Sequence, residues 1–229
     1  MAAALRREKY LQYDDVFSGE VPPLITQPDE LISTFDRLLR KEDDNYSNNH
    51  QPENHIGFDA EWDEETSGVA LLQLASVETV LLIDIPGLSS TAEGVDALRK
   101  TVGKLLENPE WTLIGFACRQ DLSRLRASPC VLKEGTQQQH WISKTNAVVD
   151  VQTLVGDADP LLRTTGLSRA CEEFLSKPLD KSEQCSLWSS RPLTERQRSY
   201  AALDAWVCVG IYQKLLMRNN DILNNGPEN

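Results

Sequence analysis

The sequence IGFDAEW at residues 56–62 is the first of three apolar runs that decide the fold, and VALLQLA (69–75) and TVLLIDI (79–85) follow it closely. Each run has the length and the content of β-branched and aliphatic residues that are typical of a strand. Because only a few residues separate one run from the next, we expect the three strands to pair as an antiparallel meander.

The chain after this meander alternates between helix and strand patterns. Residues 92–106 and 121–127 show helical spacing of their apolar side chains, and residues 112–117 and 147–154 are strand-like. Strands that alternate with helices usually form parallel pairs. The sequence therefore predicts an α/β fold with a mixed five-stranded sheet, an antiparallel meander followed by parallel strands, flanked by helices.

Further helical patterns lie on both sides of this core. Residues 28–41 combine amphipathic spacing with acids at the start and basic residues at the end, as the helix dipole favours. The same helical spacing predicts a helical C-terminal part, with helices at residues 166–175 and 194–217. The polar segments at 42–55 and 131–146 predict exposed loops, and we find no internal repeat and no linker between domains.

These patterns divide the chain into an N-terminal extension (residues 1–24), one domain (25–217) and a polar C-terminal tail (218–229). A chain of 229 residues can bury a substantial core without disulfides. Its five cysteines are scattered and odd in number, which suits a reducing compartment. No run has the character of a signal peptide or a membrane span, so we expect an intracellular protein, cytoplasmic or nuclear, without a membrane partner.

The formal net charge of −12 argues against broad electrostatic binding of phosphates, which normally draws on clustered Lys and Arg. Two features weaken this objection. Carboxylates that bind divalent cations are neutralised when they are loaded, and arginines at residues 119–126 and 191–198 flank the candidate catalytic residues described next. Each single arginine is explained equally well as an ordinary solvated side chain.

Asp59 and Glu61 stand two residues apart in the first predicted strand, so their side chains point to the same face. Two solvated carboxylates at a sheet edge are the simplest interpretation. However, the neighbouring strands are apolar on both faces, which predicts a central position where two carboxylates repel each other and are costly to bury. A hard divalent cation such as Mg²⁺, which prefers oxygen ligands, would offset that cost.

Three further residues are candidates for the same site. Tyr200 and Asp204 are four residues apart in the longest predicted helix and therefore lie on one face of it. Asp121 opens the helix that follows the fourth predicted strand. Taken alone, the first pair is more often an ordinary helix surface, and Asp121 an acid that faces a helix dipole. Their order and spacing, together with Asp59 and Glu61, are more specific than any one of them.

Three motifs in this order resemble the DEDDy branch of the 3′-to-5′ exonucleases, which includes ribonuclease D, the Werner exonuclease domain and the Nibbler type of small-RNA trimming nuclease. The motifs are residues 57–62 (GFDAEW) with 71–75 (LLQLA), 114–122 (IGFACRQDL) and 200–205 (YAALDA). Residues 167–204 look similar to the Nibbler-like subgroup in particular. The resemblance covers roughly residues 25–215.

This resemblance implies a ribonuclease H-like fold and a metal-dependent 3′-to-5′ exonuclease that releases nucleoside 5′-monophosphates from single-stranded 3′ ends. It also implies two divalent metal ions, Mg²⁺ or Mn²⁺, as cofactors. Asp59 would contact both ions, Glu61 and Asp204 would hold the ion that activates water, and Asp121 would support the other. Tyr200 would orient the attacking water, because a phenol with a pKa of about 10 is a poor base at neutral pH.

The candidate substrate contacts are Lys181, Arg191, Arg196 and Arg198 for phosphates, and Trp62 for stacking against a base. Trp62 is explained equally well as a core tryptophan. The Nibbler-like stretch favours single-stranded RNA over DNA as the partner, although no contact to a 2′-hydroxyl is identifiable. Protein partners, the oligomeric state and a gating role for the two polar loops are not determined by the sequence.

Two other functions compete with this one. The first is a catalytically weak or inactive module that binds nucleic acid or, as the net charge of −12 favours, a protein partner. The complete set of acids argues against it. The second is a different ribonuclease H-like enzyme, such as an endonuclease, which does not explain the helix with Tyr200 and Asp204. Ala117 and Cys118 replace the Asn or His that many relatives place before Asp121, so no polar substrate contact is expected there.

Overall fold

The structure is a computed structural model, and it describes residues 2–39, 54–65, 68–129, 142 and 148–224. Most of the two segments predicted to be exposed loops, residues 42–55 and 131–146, and the end of the predicted polar tail lie outside these residues. Among the described residues, no helix has the length and the apolar character that are required to cross a membrane.

Within these residues, six strands form one sheet. They are β1 (Leu24–Ile25), β2 (Asn54–Glu61), β3 (Leu71–Ala75), β4 (Val80–Asp84), β5 (Trp111–Gly115) and β6 (Val148–Asp150). The strands lie side by side in the order β1-β4-β3-β2-β5-β6. β2, β3 and β4 pair in antiparallel fashion, whereas β5 is parallel to β2 and β6 is parallel to β5. The predicted mixed sheet, a meander followed by parallel strands, is therefore confirmed.

The sheet has one strand more than the five that the sequence predicts. β1 is parallel to β4, with Leu24 opposite Leu82 and Ile25 opposite Ile83. Two residues are too few to show an alternation of apolar and polar side chains, so the sequence pattern does not reveal this strand. β1 ties the segment before residue 25 to one edge of the sheet.

Helices surround this sheet. They are α1 (Ala2–Lys9), α2 (Pro28–Leu38), α3 (Ile85–Ser89), α4 (Ala92–Leu98), α5 (Lys104–Glu107), α6 (Arg119–Ala127), α7 (Val151–Ala158), α8 (Leu167–Leu175) and α9 (Glu195–Asn224). A π-helical segment, Arg99–Gly103, joins α4 to α5, so the helix predicted over residues 92–106 is present as one continuous helical stretch. α9 continues past the predicted end at Met217 and into the predicted polar tail.

The prediction of a strand over residues 147–154 is wrong beyond Asp150, where α7 begins. The Asp150 carboxylate caps α7 by accepting a hydrogen bond of 3.0 Å from the backbone N of Gln152, and it also accepts one of 2.9 Å from the backbone N of Ala117. Valine and leucine residues that suit both a strand and a helix hide this boundary in the sequence. The capping acid is the start signal that the prediction missed.

The two faces of the sheet are covered by different elements. On one face, Ile56 and Phe58 pack into a cluster with side chains of α2 and α4. On the other face, α9 crosses β2, β3 and β4. Gly57 lies where this helix comes closest, since a Cβ atom at position 57 would overlap the carbonyl oxygen of Ala205. α9 therefore rests directly on the face that carries the odd-numbered side chains of β2.

The segment before β1 packs against α9. Phe17 is buried, and its ring contacts the ring of Trp206 at a centroid distance of 5.9 Å. The guanidinium group of Arg198 donates hydrogen bonds to the carbonyl oxygens of Val21 and Pro22. Part of the predicted N-terminal extension thus covers the helix that also contributes to the candidate site.

Candidate active site

Three carboxylates converge where α9 crosses β2. Asp59 and Glu61 come from the end of β2, and Asp204 comes from α9. One oxygen atom of each lies within 4.8 Å of the others. The two-residue spacing in β2 places both of its acids on the α9 side of the sheet, and the close approach of the helix at Gly57 brings Asp204 to them.

The cluster concentrates negative charge in a partly buried place, where Asp204 is buried and Asp59 and Glu61 are half-buried. Burial, followed by the charges of Asp204 and Asp121, raises the pKa of Asp59 well above its ordinary value. Burial, followed by the charges of Asp59 and Asp204, raises the pKa of Glu61 to about 10. Because each ionised carboxylate opposes the ionisation of the next, the cluster favours the binding of cations, whether protons or metal ions.

The chemistry of these donors fits a divalent metal ion. All three side chains offer carboxylate oxygens, the ligands that Mg²⁺ and Mn²⁺ prefer. In the described part of the chain, no other group of three His, Cys, Asp or Glu side chains comes together in this way. The prediction of a metal site on these acids is therefore compatible with the geometry.

Asp121 lies at the margin of the cluster, in the first turn of α6. Its side chain is buried, and burial raises the pKa of Asp121 to about 7. It stands outside the group of three oxygens, but its charge adds to the rise in the pKa of Asp59. The structure thus brings all four predicted acids into one region.

Tyr200 precedes Asp204 by one helical turn on α9, and its side chain is buried. Burial, followed by the charges of Asp204 and Glu61, raises the pKa of Tyr200 far above its ordinary value. The phenol therefore stays protonated at neutral pH and is unsuited to act as a base. It can still donate a hydrogen bond, as the predicted orienting role requires.

Lys181 places an ammonium group inside the cluster. Its Nζ lies 3.1 and 3.0 Å from the two carboxylate oxygens of Asp204 and 3.4 Å from the hydroxyl oxygen of Tyr200. Burial disfavours the charged form, but the charges of Asp204 and Asp59 outweigh this effect and raise the pKa of Lys181. The sequence predicts a phosphate contact for this residue but gives no signal for its ion pair with Asp204.

A family model described as 3′-5′ exonuclease matches residues 31–218, a range that includes the four acids and Tyr200. The chain is a member of the 3′-5′ exonuclease family. The resemblance drawn from the three motifs is therefore confirmed. The fold agrees, because the neighbours of this chain among solved structures have the predicted ribonuclease H-like architecture.

This exonuclease-family chain is similar to the human exonuclease mut-7 homolog, with 32% identity over 173 residues that cover 70% of this chain and 20% of that protein. Its fold is similar to that of the Aedes aegypti Nibbler EXO domain, with a TM-score of 0.62, 25% identity and coverage of 88% of this chain and 93% of that one. Escherichia coli RNase D gives a TM-score of 0.61 and 26% identity, with coverage of 86% of this chain and 44% of that one. The chain spans about a fifth to a third of the length of the first curated relatives it matches.

The three arginines predicted to contact substrate are engaged with other parts of the exonuclease fold. Arg191 forms an ion pair of 2.7 Å with Asp84 and donates to nearby carbonyl oxygens. Arg198 binds the N-terminal segment, as described above. Arg196 pairs with Glu183 at 3.0 Å and keeps 61% of its side chain exposed. These contacts connect the start of α9 to its surroundings and do not join an arginine to the carboxylate cluster.

The two tryptophans near the site differ in burial. Trp188 is 1% exposed, and its ring lies 5.9 Å from that of Tyr200, so it belongs to the core of the exonuclease domain. Trp62 follows Glu61 directly and packs in part against the core, and the guanidinium group of Arg124 lies over its ring at 4.8 Å. The core role of Trp62 is therefore present, and the stacking role stays a prediction.

Asp63 supports the site in a way that the sequence analysis missed. Its carboxylate accepts hydrogen bonds of 2.7 and 2.8 Å from the backbone N atoms of Trp188 and Ser189. Burial opposes ionisation, but the hydrogen bonds from Ser189 and Trp188 hold the pKa of Asp63 below its ordinary value. These bonds fix the loop before α9 beside the end of β2. The alternation of acids at 59, 61 and 63 was the available signal.

Proposed function

We propose that this chain removes nucleotides from the 3′ end of single-stranded nucleic acid by hydrolysis of the terminal phosphodiester bond, and that it releases nucleoside 5′-monophosphates. The observation that carries this proposal is the convergence of Asp59, Glu61 and Asp204 within 4.8 Å. The buried phenol of Tyr200 one turn away from Asp204 and the membership of the exonuclease family support the same reaction.

We propose two divalent ions, Mg²⁺ or Mn²⁺, as the cofactors. Asp59 would be a ligand of both, Glu61 and Asp204 of one, and Asp121 of the other. When bound, such ions supply an activated water at neutral pH and stabilise charge on the departing 3′ oxygen. The protein contributes four carboxylates held by three elements, β2, α6 and α9, so the donors are in place before substrate arrives.

The residues beside the acids handle the water and the phosphate. The protonated hydroxyl of Tyr200 binds the attacking water and orients it. The ammonium group of Lys181, 3.4 Å from that hydroxyl, offers positive charge to the phosphate under attack. Because Asp204 and Asp121 are buried and Asp59 and Glu61 are half-buried, a paired 3′ end would have to open before it reached the acids, which favours a single-stranded end.

We propose RNA in preference to DNA as the substrate. The relative from E. coli, RNase D, is an exoribonuclease involved in structured RNA processing. Trp62, next to Glu61, offers a ring for base stacking, and the exposed side chain of Arg196 is available to a phosphate of the incoming strand. For Arg191 and Arg198, the contacts described above favour a role in holding the fold.

The test uses the purified protein with 5′-labelled single-stranded RNA and DNA of one sequence, in Mn²⁺, Mg²⁺ or EDTA. We expect the polymers to shorten from the 3′ end, RNA faster than DNA, and the products to be nucleoside 5′-monophosphates. EDTA and Asp59→Asn should abolish the reaction, and Tyr200→Phe should slow it about 10²-fold. Asp96→Asn is a matched control, because Asp96 is an exposed acid that pairs with Lys100.

Two results would contradict the proposal. If neither polymer shortens in any metal, the chain is a binding module of the exonuclease fold. If Asp59→Asn and Asp96→Asn have equal activity, the carboxylate cluster is not the reaction centre.

A further inference from the structure

Gln73 is a fully buried amide in the middle of β3. Neither its oxygen nor its nitrogen has a hydrogen-bond partner among the described residues. An amide that is removed from water without partners lowers the stability of the fold. A buried and unpaired glutamine in a central strand is therefore expected to have a function near its position that offsets this loss of stability.

The register of the sheet places Gln73 next to the candidate site. Gln73 is directly opposite Asp59 in the antiparallel pair of β2 and β3. Residues opposite each other in such a pair project to the same face, with Cβ atoms about 4.5 to 5.5 Å apart. On its other side, Gln73 is opposite Leu82 of β4, an apolar residue. Of the two residues directly opposite Gln73, only Asp59 has a polar side chain.

The packing of α9 leaves room for this amide. Leu71 and Ala75 lie on the same face of β3 as Gln73, and they belong to a cluster with three small side chains of α9. Those side chains are Ala201, Ala202 and Ala205. Larger residues on this face of the helix would occupy the space over β3, whereas alanines allow a long polar side chain to lie flat beneath the helix and reach toward the acids.

We propose that Gln73 is a positioning residue for Asp59. In the metal-loaded protein, the side-chain nitrogen of Gln73 donates a hydrogen bond to the Asp59 carboxylate and fixes the orientation in which this carboxylate binds metal. Groups that bind a metal-ligating side chain in this way orient it and strengthen the site. This inference rests on the proposed metal-dependent function.

The variant Gln73→Met separates this role from a structural one. Methionine has a similar volume and shape but no hydrogen-bonding amide. Because methionine removes a buried amide that has no hydrogen-bond partner among the described residues, the variant should melt about 2 to 4 °C higher than the wild type in EDTA. Its dissociation constant for Mn²⁺ should rise about tenfold. Exonuclease activity should fall at limiting Mn²⁺ and recover at saturating Mn²⁺.

Ser89→Ala is the matched control. The hydroxyl of Ser89 is also buried without a hydrogen-bond partner in the described part of the chain. Ser89 lies at the end of α3, whose Leu88 packs in the cluster on the opposite face of the sheet. Removal of this hydroxyl should also favour the metal-free fold. It should leave the affinity for Mn²⁺ unchanged, because Ser89 has no access to the acids.

Titration calorimetry with Mn²⁺ and thermal unfolding in EDTA, both on the full chain, give the deciding measurements. If the wild type binds Mn²⁺ and Gln73→Met binds it equally well, the role of Gln73 is refuted and the exonuclease proposal stands. If the wild type does not bind Mn²⁺, the metal-dependent function itself fails. If both Gln73→Met and Gln73→Leu fail to fold, the inference is also refuted, because the amide is then required by the fold.

Discussion

Lys181 acts as a counter-ion among the acids of the site. Its ammonium group lies 3.0 Å from Asp204, with 29% of the lysine side chain exposed and 3% of the aspartate side chain. Loss of one partner of such an enclosed ion pair leaves the other charge uncompensated. This single residue therefore affects both the chemistry of the cluster and its electrostatic balance.

Lys181→Met should lower the rate of nucleotide release about 10²-fold, because a positive charge near the reacting phosphate is lost. The affinity for Mn²⁺ should not fall, since the variant removes a cation that competes for Asp204. The measurements are kcat on RNA at saturating Mn²⁺ and titration calorimetry. Lys177→Met, which removes a lysine paired with Asp15 near the surface, is the control. Equal rates for the two variants would exclude a role of Lys181 in the reaction.

The metal-free protein should lose stability as the pH rises. The pKa of Asp121 is raised to about 7 and that of Glu61 to about 10. Between their ordinary values of about 4 and these raised values, the folded state holds protons that the unfolded chain has released, so the free energy of unfolding falls as the pH increases.

Thermal unfolding in EDTA from about pH 5 to about pH 7 measures this dependence, and Asp121→Asn should make it weaker. Added Mn²⁺ should stabilise the protein more at the upper end of the range, because its ligands must be deprotonated. If the midpoint temperature of unfolding in EDTA instead rose with pH, the acids would be ionised in the folded protein without metal.

The contact between α9 and β2 decides the geometry of the site at the scale of elements. Gly57 is the point of closest approach, and a Cβ atom there would also lie 2.8 Å from Cγ2 of Val209. Asp59 follows two residues later on the same face of β2, and Asp204 is adjacent to Ala205 on α9. The spacing between the acids therefore depends on how closely the helix lies on the strand.

Gly57→Ala should lower the free energy of unfolding by about 1 to 3 kcal/mol, because the added methyl group overlaps the backbone of α9. The variant should also weaken Mn²⁺ binding, since a displaced helix separates Asp204 from the acids of β2. Gly166→Ala is the control, because a Cβ atom at position 166 has no neighbour within 4 Å. Thermal unfolding and titration calorimetry give the two measurements. If Gly57→Ala and Gly166→Ala had the same stability and the same affinity for Mn²⁺, the close approach of α9 at Gly57 would not determine the geometry of the site.

The larger elements were predictable because their signals are local. The alternation in IGFDAEW gives both the strand β2 and the common face of Asp59 and Glu61. β1 was not predictable, because two residues acquire strand structure only through pairing with β4. The start of α7 was hidden because its valines suit either structure, and the cap at Asp150 was the single distinguishing feature.

The supporting residues of the site were harder to predict than the acids. The four acids are found through motifs within short stretches of sequence. Lys181 contacts Asp204, which is 23 residues away in the sequence, and Asp63 contacts Trp188, which is 125 residues away. Such contacts depend on how distant elements pack, which no local pattern records. Gln73 is similar, since its position opposite Asp59 requires the register of the sheet.

At the scale of the whole molecule, the segment before β1 belongs to the folded unit. We propose that the unit begins near residue 10, earlier than the boundary at residue 25 drawn from the sequence. Leu11 and Phe17 are buried, and the second of them contacts Trp206 of α9. In contrast, Leu5 in α1 is exposed.

Removal of residues 1–9 should leave thermal unfolding almost unchanged. Removal of residues 1–24 should lower the free energy of unfolding by about 3 kcal/mol or more, because each large apolar side chain that is lost from the core contributes about 1.5 to 3 kcal/mol. Calorimetric melts of the two shortened chains and the full chain give the comparison. If both shortened chains unfolded at the same temperature, the domain boundary at residue 25 would be correct.

The acids of the site come from β2, α6 and α9, and α9 is the last of these elements along the chain. The ribosome makes the whole sheet before it makes α9. A nascent chain that stops before α9 possesses the strands but lacks the tyrosine and the fourth acid. Under the proposed function, nuclease activity therefore arises only after α9 has been translated, and a chain that stops before α9 should not cut nearby nucleic acid, including the message that encodes it.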